Sequence, residues 1–259
     1  MRILVTNDDG ITAEGIIRLA AMAKQLGKVT VIAPDSQCSA MSQKLTILTY
    51  VDVKKVKDFP IEGVEAYTVS GTPADCVRLG VDRIMTERPD IVFSGINNGY
   101  NTGYDIAYSG TIGATMEALF AGIPAIAFST DYRGIFDTVD EYLLKVTEEV
   151  LKKPIGCDEI WNLNFPGCPV ADCKGILWDR TIAQDDFYNN IYTEQPASFV
   201  DGAVRYAITA EPTERAYEGT DIKAILDNYI SIGKVKSTVV TPCAEDKITY
   251  RGRLKNKPV

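Results

Sequence analysis

Short apolar runs alternate with segments of helical period through the first two thirds of the chain. Arg2 to Thr6, Lys28 to Ala33, Ala66 to Val69, Asp90 to Ser94, Ile123 to Ser129 and Trp161 to Phe165 read as strands. Continuous apolar runs this short mark strands covered on both faces, as in a parallel sheet. Between the first two, Ile16, Leu19, Ala20, Ala23 and Leu26 recur at the helical period, with Thr12 the expected N-cap and Gly27 the stop. Thr72, Pro73 and Asp75 supply a cap, a first-turn proline and an acid for a second helix. A third opens at Tyr108-Ser109-Gly110-Thr111 and runs to Ala121, stopped by Gly122. Thr138-Val139-Asp140-Glu141 fits a capping box for a fourth, reaching about Leu151. Leu45 to Val56 alternates loosely and, with Lys54, Lys55, Lys57 and Asp58 nearby, suggests an exposed hairpin or edge excursion.

Beyond Gly167 the pattern loosens. Ile176 to Ile182 and Arg205 to Thr209 look like strands, Thr220-Asp221 caps a short helix through Leu226, and Tyr229 to Val240 suggests paired strands turning at Gly233. Lys247 to Lys257 is a basic tail. The expected fold is α/β: a doubly wound, mostly parallel Rossmann-like sheet at residues 1–167, with a smaller β-rich C-terminal part at 168–259. No internal repeat stands out, and no strand is followed by the G-x-G-x-x-G dinucleotide fingerprint.

Composition narrows the chemistry. The chain has 259 residues, 46% of them apolar, enough for a sizeable core. It lacks a signal-peptide pattern and any apolar run near the ~18 residues of a spanning helix, so the expectation is a cytoplasmic protein without membrane partners. A net charge of −8 argues against binding long nucleic acids, which requires a basic face. The six cysteines are scattered and read as free thiols; Cys168 and Cys173 lie close in sequence but lack a second pair for zinc. Histidine is absent. That removes every Ser-His-Asp or Cys-His arrangement and the usual general base, leaving carboxylates, lysines, tyrosines or a metal-bound water.

Five of the six strands end in short polar residues, and in open α/β sheets ligands bind at the carboxyl edge. Val5-Thr6-Asn7-Asp8-Asp9-Gly10 puts adjacent carboxylates at the end of the first strand, where turn chemistry alone would also accept them. Ser39 lies in the polar loop after the second strand, and Asn97 and Asn101 in the Gly/Asn-rich loop after the fourth. Asp8, Asp9, Ser39 and Asn97 offer hard oxygens that suit Mg²⁺, Mn²⁺ or Ca²⁺. Such an ion can acidify a water, hold a phosphoryl oxygen and screen an anionic substrate. Asn101, Ser109, Gly110 and Thr111 bring hydrogen-bond donors to a helix N-terminus, a ready phosphate site. The implied reaction is metal-assisted phosphomonoester hydrolysis, with Asp8 orienting the attacking water. Tyr100, Tyr104 and Tyr108 could stack on a base or simply pack.

V-T-N-D-D-G at Val5 to Gly10, S-G-T-P-A-D-C-V at Ser70 to Val77, and S-G-I-N-N-G-Y-N-T-G-Y-D-I-A-Y-S-G-T at Ser94 to Thr111 together resemble the stationary-phase survival protein SurE family. The resemblance covers roughly residues 1–167. It implies a metal-dependent 5′/3′-nucleotidase acting on nucleoside monophosphates with one Mg²⁺ or Mn²⁺ per subunit. By the resemblance Asp8, Asp9, Ser39 and Asn97 are the metal ligands, and Asn101 and Ser109-Gly110-Thr111 bind the phosphate. It also implies a homodimer or homotetramer, with the C-terminal part serving oligomerisation and site closure. Two departures stand out in the loop, where Ser36 occupies an arginine position and Ala40 replaces a glycine after Ser39. Further on, the expected Thr-Pro appears only at Thr241-Pro242.

Two other classes compete. An aspartyl-phosphate phosphatase would use a carboxylate after the first strand as nucleophile, but adjacent Asp8-Asp9 lacks the spacing that separates nucleophile from acid there. A non-catalytic receiver-like module would need an aspartate ending the third strand, where this chain has Ser70-Gly71-Thr72.

Overall fold

The computed structural model describes residues 1–196, 200 and 202–240. A nine-stranded sheet forms its centre, and its six middle strands are parallel. These are β1 (Arg2–Thr6), β2 (Lys28–Pro34), β4 (Glu65–Val69), β5 (Ile91–Asn98), β6 (Ala125–Thr130) and β7 (Glu159–Asn164). In space they run β4-β2-β1-β5-β6-β7. Short β3 (Val53–Val56) adds antiparallel to the β4 edge, the edge excursion that its lysines suggested.

Side chains alternate between two cores because successive strand residues point to opposite faces. Ile3, Val5, Phe93 and Phe128 pack under α1 (Glu14–Leu26) and α4 (Asp137–Leu151). Leu4, Ile32, Val92 and Ala127 pack under α2 (Pro73–Leu79) and α3 (Gly110–Phe120). Both faces are covered, which explains why the strands read as apolar runs. The steps from β5 to β6 and from β6 to β7 go the same way along the sheet. Since α3 and α4 lie on opposite faces, those two crossovers have opposite hands, a departure from the general rule.

Two helix starts differ from expectation. Thr12 does not cap α1: Ala13 occupies the N-cap without a side-chain bond, and its N–H donates to Gly10 O in a turn that precedes the helix. Thr138 lies inside α4, where its hydroxyl donates to Pro166 O at 2.7 Å, and Phe136 is the N-cap. By contrast, Thr72 and Asp75 form a full capping box on α2, and Thr220 caps α5 (Asp221–Leu226).

After Gly167, β8 (Ile176–Arg180) and β11 (Ile230–Lys236) join the main sheet, β11 antiparallel to β7 and β8 parallel to β11. The expected turn at Gly233 is absent. One strand runs straight through, and Gly233 is needed because a Cβ there would lie 2.6 Å from Arg180 O. Among the described residues, only β9 (Tyr188–Gln195) and β10 (Arg205–Pro212) stand apart, as a two-stranded antiparallel ribbon. The basic tail and Thr241-Pro242 lie outside the described residues. Among the described residues, no helix is long and apolar enough to cross a membrane, and Cys38, Cys76, Cys168 and Cys173 carry free thiols.

Candidate active site

Strand order reverses between β1 and β5: from β1 the chain winds outward to β2 and β4, and from β5 the opposite way to β6 and β7. The crevice at such a switch point opens where the carboxyl ends of adjacent strands diverge. Asp8 and Asp9 follow β1, and Asn97 lies at the end of β5.

The Asp8-Asp9-Gly10 turn is built from local bonds. Gly10 takes φ +95°, Asn7 Nδ2 donates to Gly10 O at 2.9 Å, and Ile11 N–H to Pro34 O at 3.0 Å. Asp8 is buried. Its Oδ1 accepts the Thr111 hydroxyl at 2.6 Å, and its backbone O accepts the Cys38 N–H at 2.7 Å. One residue thus ties β1, the loop after β2 and the first turn of α3. Gly110 is required at that junction, because a Cβ there would meet Asp8 Cβ at 2.9 Å and Cys38 O at 3.1 Å.

Asp9 is half-buried and accepts the Asn98 N–H at 3.1 Å on Oδ2. Gln37 Nε2 donates to Ser39 Oγ at 3.1 Å in the loop after β2. Asn97 donates Nδ2 to Gly99 O at 2.8 Å, which orients the amide. A register shift in the β5–β6 pairing lies between Ser94 and Asn97, beyond which Asn97 pairs with Ser129 and Asn98 with Thr130.

Burial pushes the Asp8 carboxyl up to about 6; the Thr111 hydrogen bond opposes this and the Asp9 charge adds to it. Asp9 is also raised by burial, against the N–H of Asn98 and the Gln37 amide. Two crowded acids raised together describe a site short of positive charge. The donors Asp8, Asp9, Ser39 and Asn97 are all oxygens, two of them from carboxylates, and so fit a hard divalent cation. Among the described residues no group of three or more His, Cys, Asp or Glu could hold a metal, so a cation here draws on neutral oxygens as well.

Ser109 caps α3, its Oγ accepting the Ile112 N–H at 3.1 Å. The preceding N–H groups, those of Gly110 and Thr111, have no intrahelical acceptor and carry the positive end of the helix dipole. Asn101 is buried in a polar network. Its N–H donates to Asn164 Oδ1 and its Nδ2 to Ser129 Oγ, both at 2.8 Å. Its backbone O accepts from Asn162 at 2.8 Å and Asn164 at 3.1 Å. Thus Asn101 is held from β6 and β7 while Ser109, Gly110 and Thr111 stand at α3.

Gln37, Asn98, Ser129, Asn162 and Asn164 were not singled out from the sequence. The last two had a signal: amides at alternate positions of an otherwise apolar strand, Trp161-Asn162-Leu163-Asn164-Phe165, share one face. Of the three tyrosines considered for stacking, Tyr100 is buried, whereas Tyr104 and Tyr108 are exposed. Loop 101–105 is clamped from the C-terminal part. Asp105 accepts the N–H groups of Phe187 and Tyr188, and Asp221 accepts those of Gly103 and Ala183.

Comparison with known proteins converges on one family. The model of "Survival protein SurE" matches residues 3–186. The 5′-nucleotidase SurE of Flavobacterium psychrophilum is 38% identical over 240 residues, covering 90% of this chain and 91% of that protein. That of Aeromonas hydrophila is 37% identical over 251 residues, covering 96% and 94%. The crystal structure of the SurE protein from Aquifex aeolicus superposes with a TM-score of 0.77 at 36% identity, covering 91% of this chain and 93% of that one. With paired acids at the switch point and near-complete matches in sequence and structure, the chain belongs to the survival protein SurE family.

Proposed function

We propose that the chain is a metal-dependent nucleotidase that releases phosphate from nucleoside 5′- or 3′-monophosphates. The observation that carries this reading is the Thr111 to Asp8 hydrogen bond, which joins the acid pair to the start of α3 in one site. The relatives named 5′-nucleotidase are similar over more than nine-tenths of their own length, which supports the same activity here. Asp8, Asp9, Ser39 and Asn97 would hold Mg²⁺ or Mn²⁺, one per subunit. When bound, such an ion acidifies a water and offsets the charge of a phosphoryl group.

The chain's own groups do the rest. The N–H groups of Gly110 and Thr111, with Ser109 and the Asn101 amide, bind and orient the phosphoryl oxygens as negative charge shifts among them. Asp8, fixed by Thr111, orients the attacking water along the axis opposite the leaving sugar oxygen. Histidine is absent, and Asp8 is the buried carboxylate placed beside the start of α3 to serve instead. Apolar side chains exposed on the ribbon, Ile191, Tyr192 and Ile208 among them, support a homodimer or homotetramer. A phosphate-release screen over nucleoside monophosphates and simple phosphomonoesters, with Mg²⁺, Mn²⁺ or chelator, tests the reading. Metal-dependent release from nucleoside monophosphates is expected; release from none of them removes it.

A further inference from the structure

Four aromatic rings lead from the interior to the surface beside the candidate site. Tyr100, on the loop after β5, meets Phe187 with 5.0 Å between ring centroids. Phe187 meets Tyr188 at 4.8 Å, and Tyr188 meets Tyr132 at 6.2 Å. All three pairs are close to perpendicular, the edge-to-face arrangement that aromatic quadrupoles favour. Core packing accounts for Tyr100 and Phe187, which are 5% and 3% exposed. It does not account for Tyr132, which ends the series 52% exposed.

Tyr132 is exposed, yet its surroundings are fixed. Asp131 before it is buried and receives Arg133 Nε at 2.6 Å, an Arg133 terminal nitrogen at 2.9 Å and the Tyr100 hydroxyl at 3.3 Å. Burial pulls the Asp131 carboxyl upward, but Arg133 holds it below its ordinary value, so it stays charged and keeps these bonds. On the other side, the Tyr188 hydroxyl accepts the Tyr100 N–H at 3.0 Å. A ring presented by a prearranged loop binds with little ordering cost.

The place is right for one part of a nucleotide. Tyr132 follows Thr130, the register partner of Asn98, and Gly99 N–H donates to Thr130 O at 3.0 Å. A Cβ on Gly99 would lie 3.5 Å from the Tyr188 hydroxyl and 3.6 Å from Asn97 Nδ2. The Tyr188 hydroxyl therefore borders the proposed metal ligand Asn97, on the side of β5 that faces β6 rather than β1, and the Tyr132 ring lies one ring further out. Resting on the nucleotidase reading, we infer that Tyr132 is the stacking surface for the nucleobase of the substrate.

Steady-state phosphate release from AMP and from ribose 5-phosphate tests this, since the two share sugar and phosphate and differ by the base. For Tyr132→Ala, kcat/KM on AMP should fall about tenfold, mainly through KM, while ribose 5-phosphate is unaffected. Tyr132→Phe keeps the ring and should keep the wild-type ratio. Should Tyr132→Ala fail to fold, Tyr132→Leu retains bulk without the π face and should show the same selective loss. Equal effects on both substrates, or none on AMP, overturn the assignment. Wild-type enzyme that releases phosphate from both without preferring AMP overturns it too, leaving the phosphatase reading intact; release from neither removes that reading and the inference with it.

Discussion

Thr111 has no capping duty, because Ser109 supplies the side chain that caps α3, and its hydroxyl goes to the buried Asp8 carboxylate instead. Removing that hydroxyl leaves Asp8 without its shortest hydrogen bond while the helix start stays intact. Thr111→Ala should therefore lower kcat/KM on a nucleoside monophosphate by about 10²-fold, with a melting temperature near that of wild type in the metal-loaded enzyme. Parallel melting and kinetic measurements check this, and a destabilised enzyme with normal turnover would contradict it. The Asp8-Asp9 pair was legible in the sequence because two charges at the end of an apolar run need a reason to be there. The partners that hold the pair were not. Gln37 sits in a polar loop where many side chains look alike, and Asn98 reaches Asp9 through its backbone N–H, so no side-chain pattern marks either.

At the scale of elements, α2 and α3 make a controlled comparison. Both start at the same sheet edge and both are capped by a hydroxyl, but only α3 begins against the acids. Thr72 accepts the Asp75 N–H at 3.2 Å and donates to Lys44 O at 2.5 Å. Thr72→Ala should cost about 1–2 kcal/mol in chemical denaturation while most of the activity survives, the reverse of Thr111→Ala. The six parallel strands were readable because burial on both faces leaves uninterrupted apolar runs. β11 was not, since Ile230-Ser231-Ile232-Gly233-Lys234 alternates like an exposed hairpin with a glycine turn. Its glycine serves a close approach to β8, a tertiary reason that no local pattern carries. Helix starts at Thr12 and Thr138 misled for a related cause, as both threonines suit a cap but the chain's entry angle places other residues there.

At the scale of the whole molecule, the sheet must keep β1 and β5 in register for the switch point to exist, and one ion pair fastens them at the opposite edge. Asp90 accepts Arg2 N–H at 2.7 Å and an Arg2 terminal nitrogen at 2.6 Å, which holds its carboxyl down to about 2. A carboxylate with a lowered folded-state pKa stabilises the fold above its unfolded value and loses that contribution as pH falls toward the folded value. Asp90→Asn should thus melt below wild type at neutral pH, with the difference shrinking between about pH 4 and about pH 2. Thermal melts across that window check it, and a difference independent of pH would contradict it.

If the paired acids at the switch point make a cation-dependent phosphomonoesterase, activity must follow the cation and the charge of the pair. The most direct test of that dependence is the initial rate of phosphate release from AMP as a function of Mn²⁺ concentration, in wild type and in Asp9→Asn, which keeps the shape and removes one charge. Release should vanish in chelator, wild type should be activated saturably, and Asp9→Asn should reach half-saturation at Mn²⁺ concentrations at least about tenfold higher. Equal rates with and without chelator, or an unchanged half-saturation in Asp9→Asn, would contradict it.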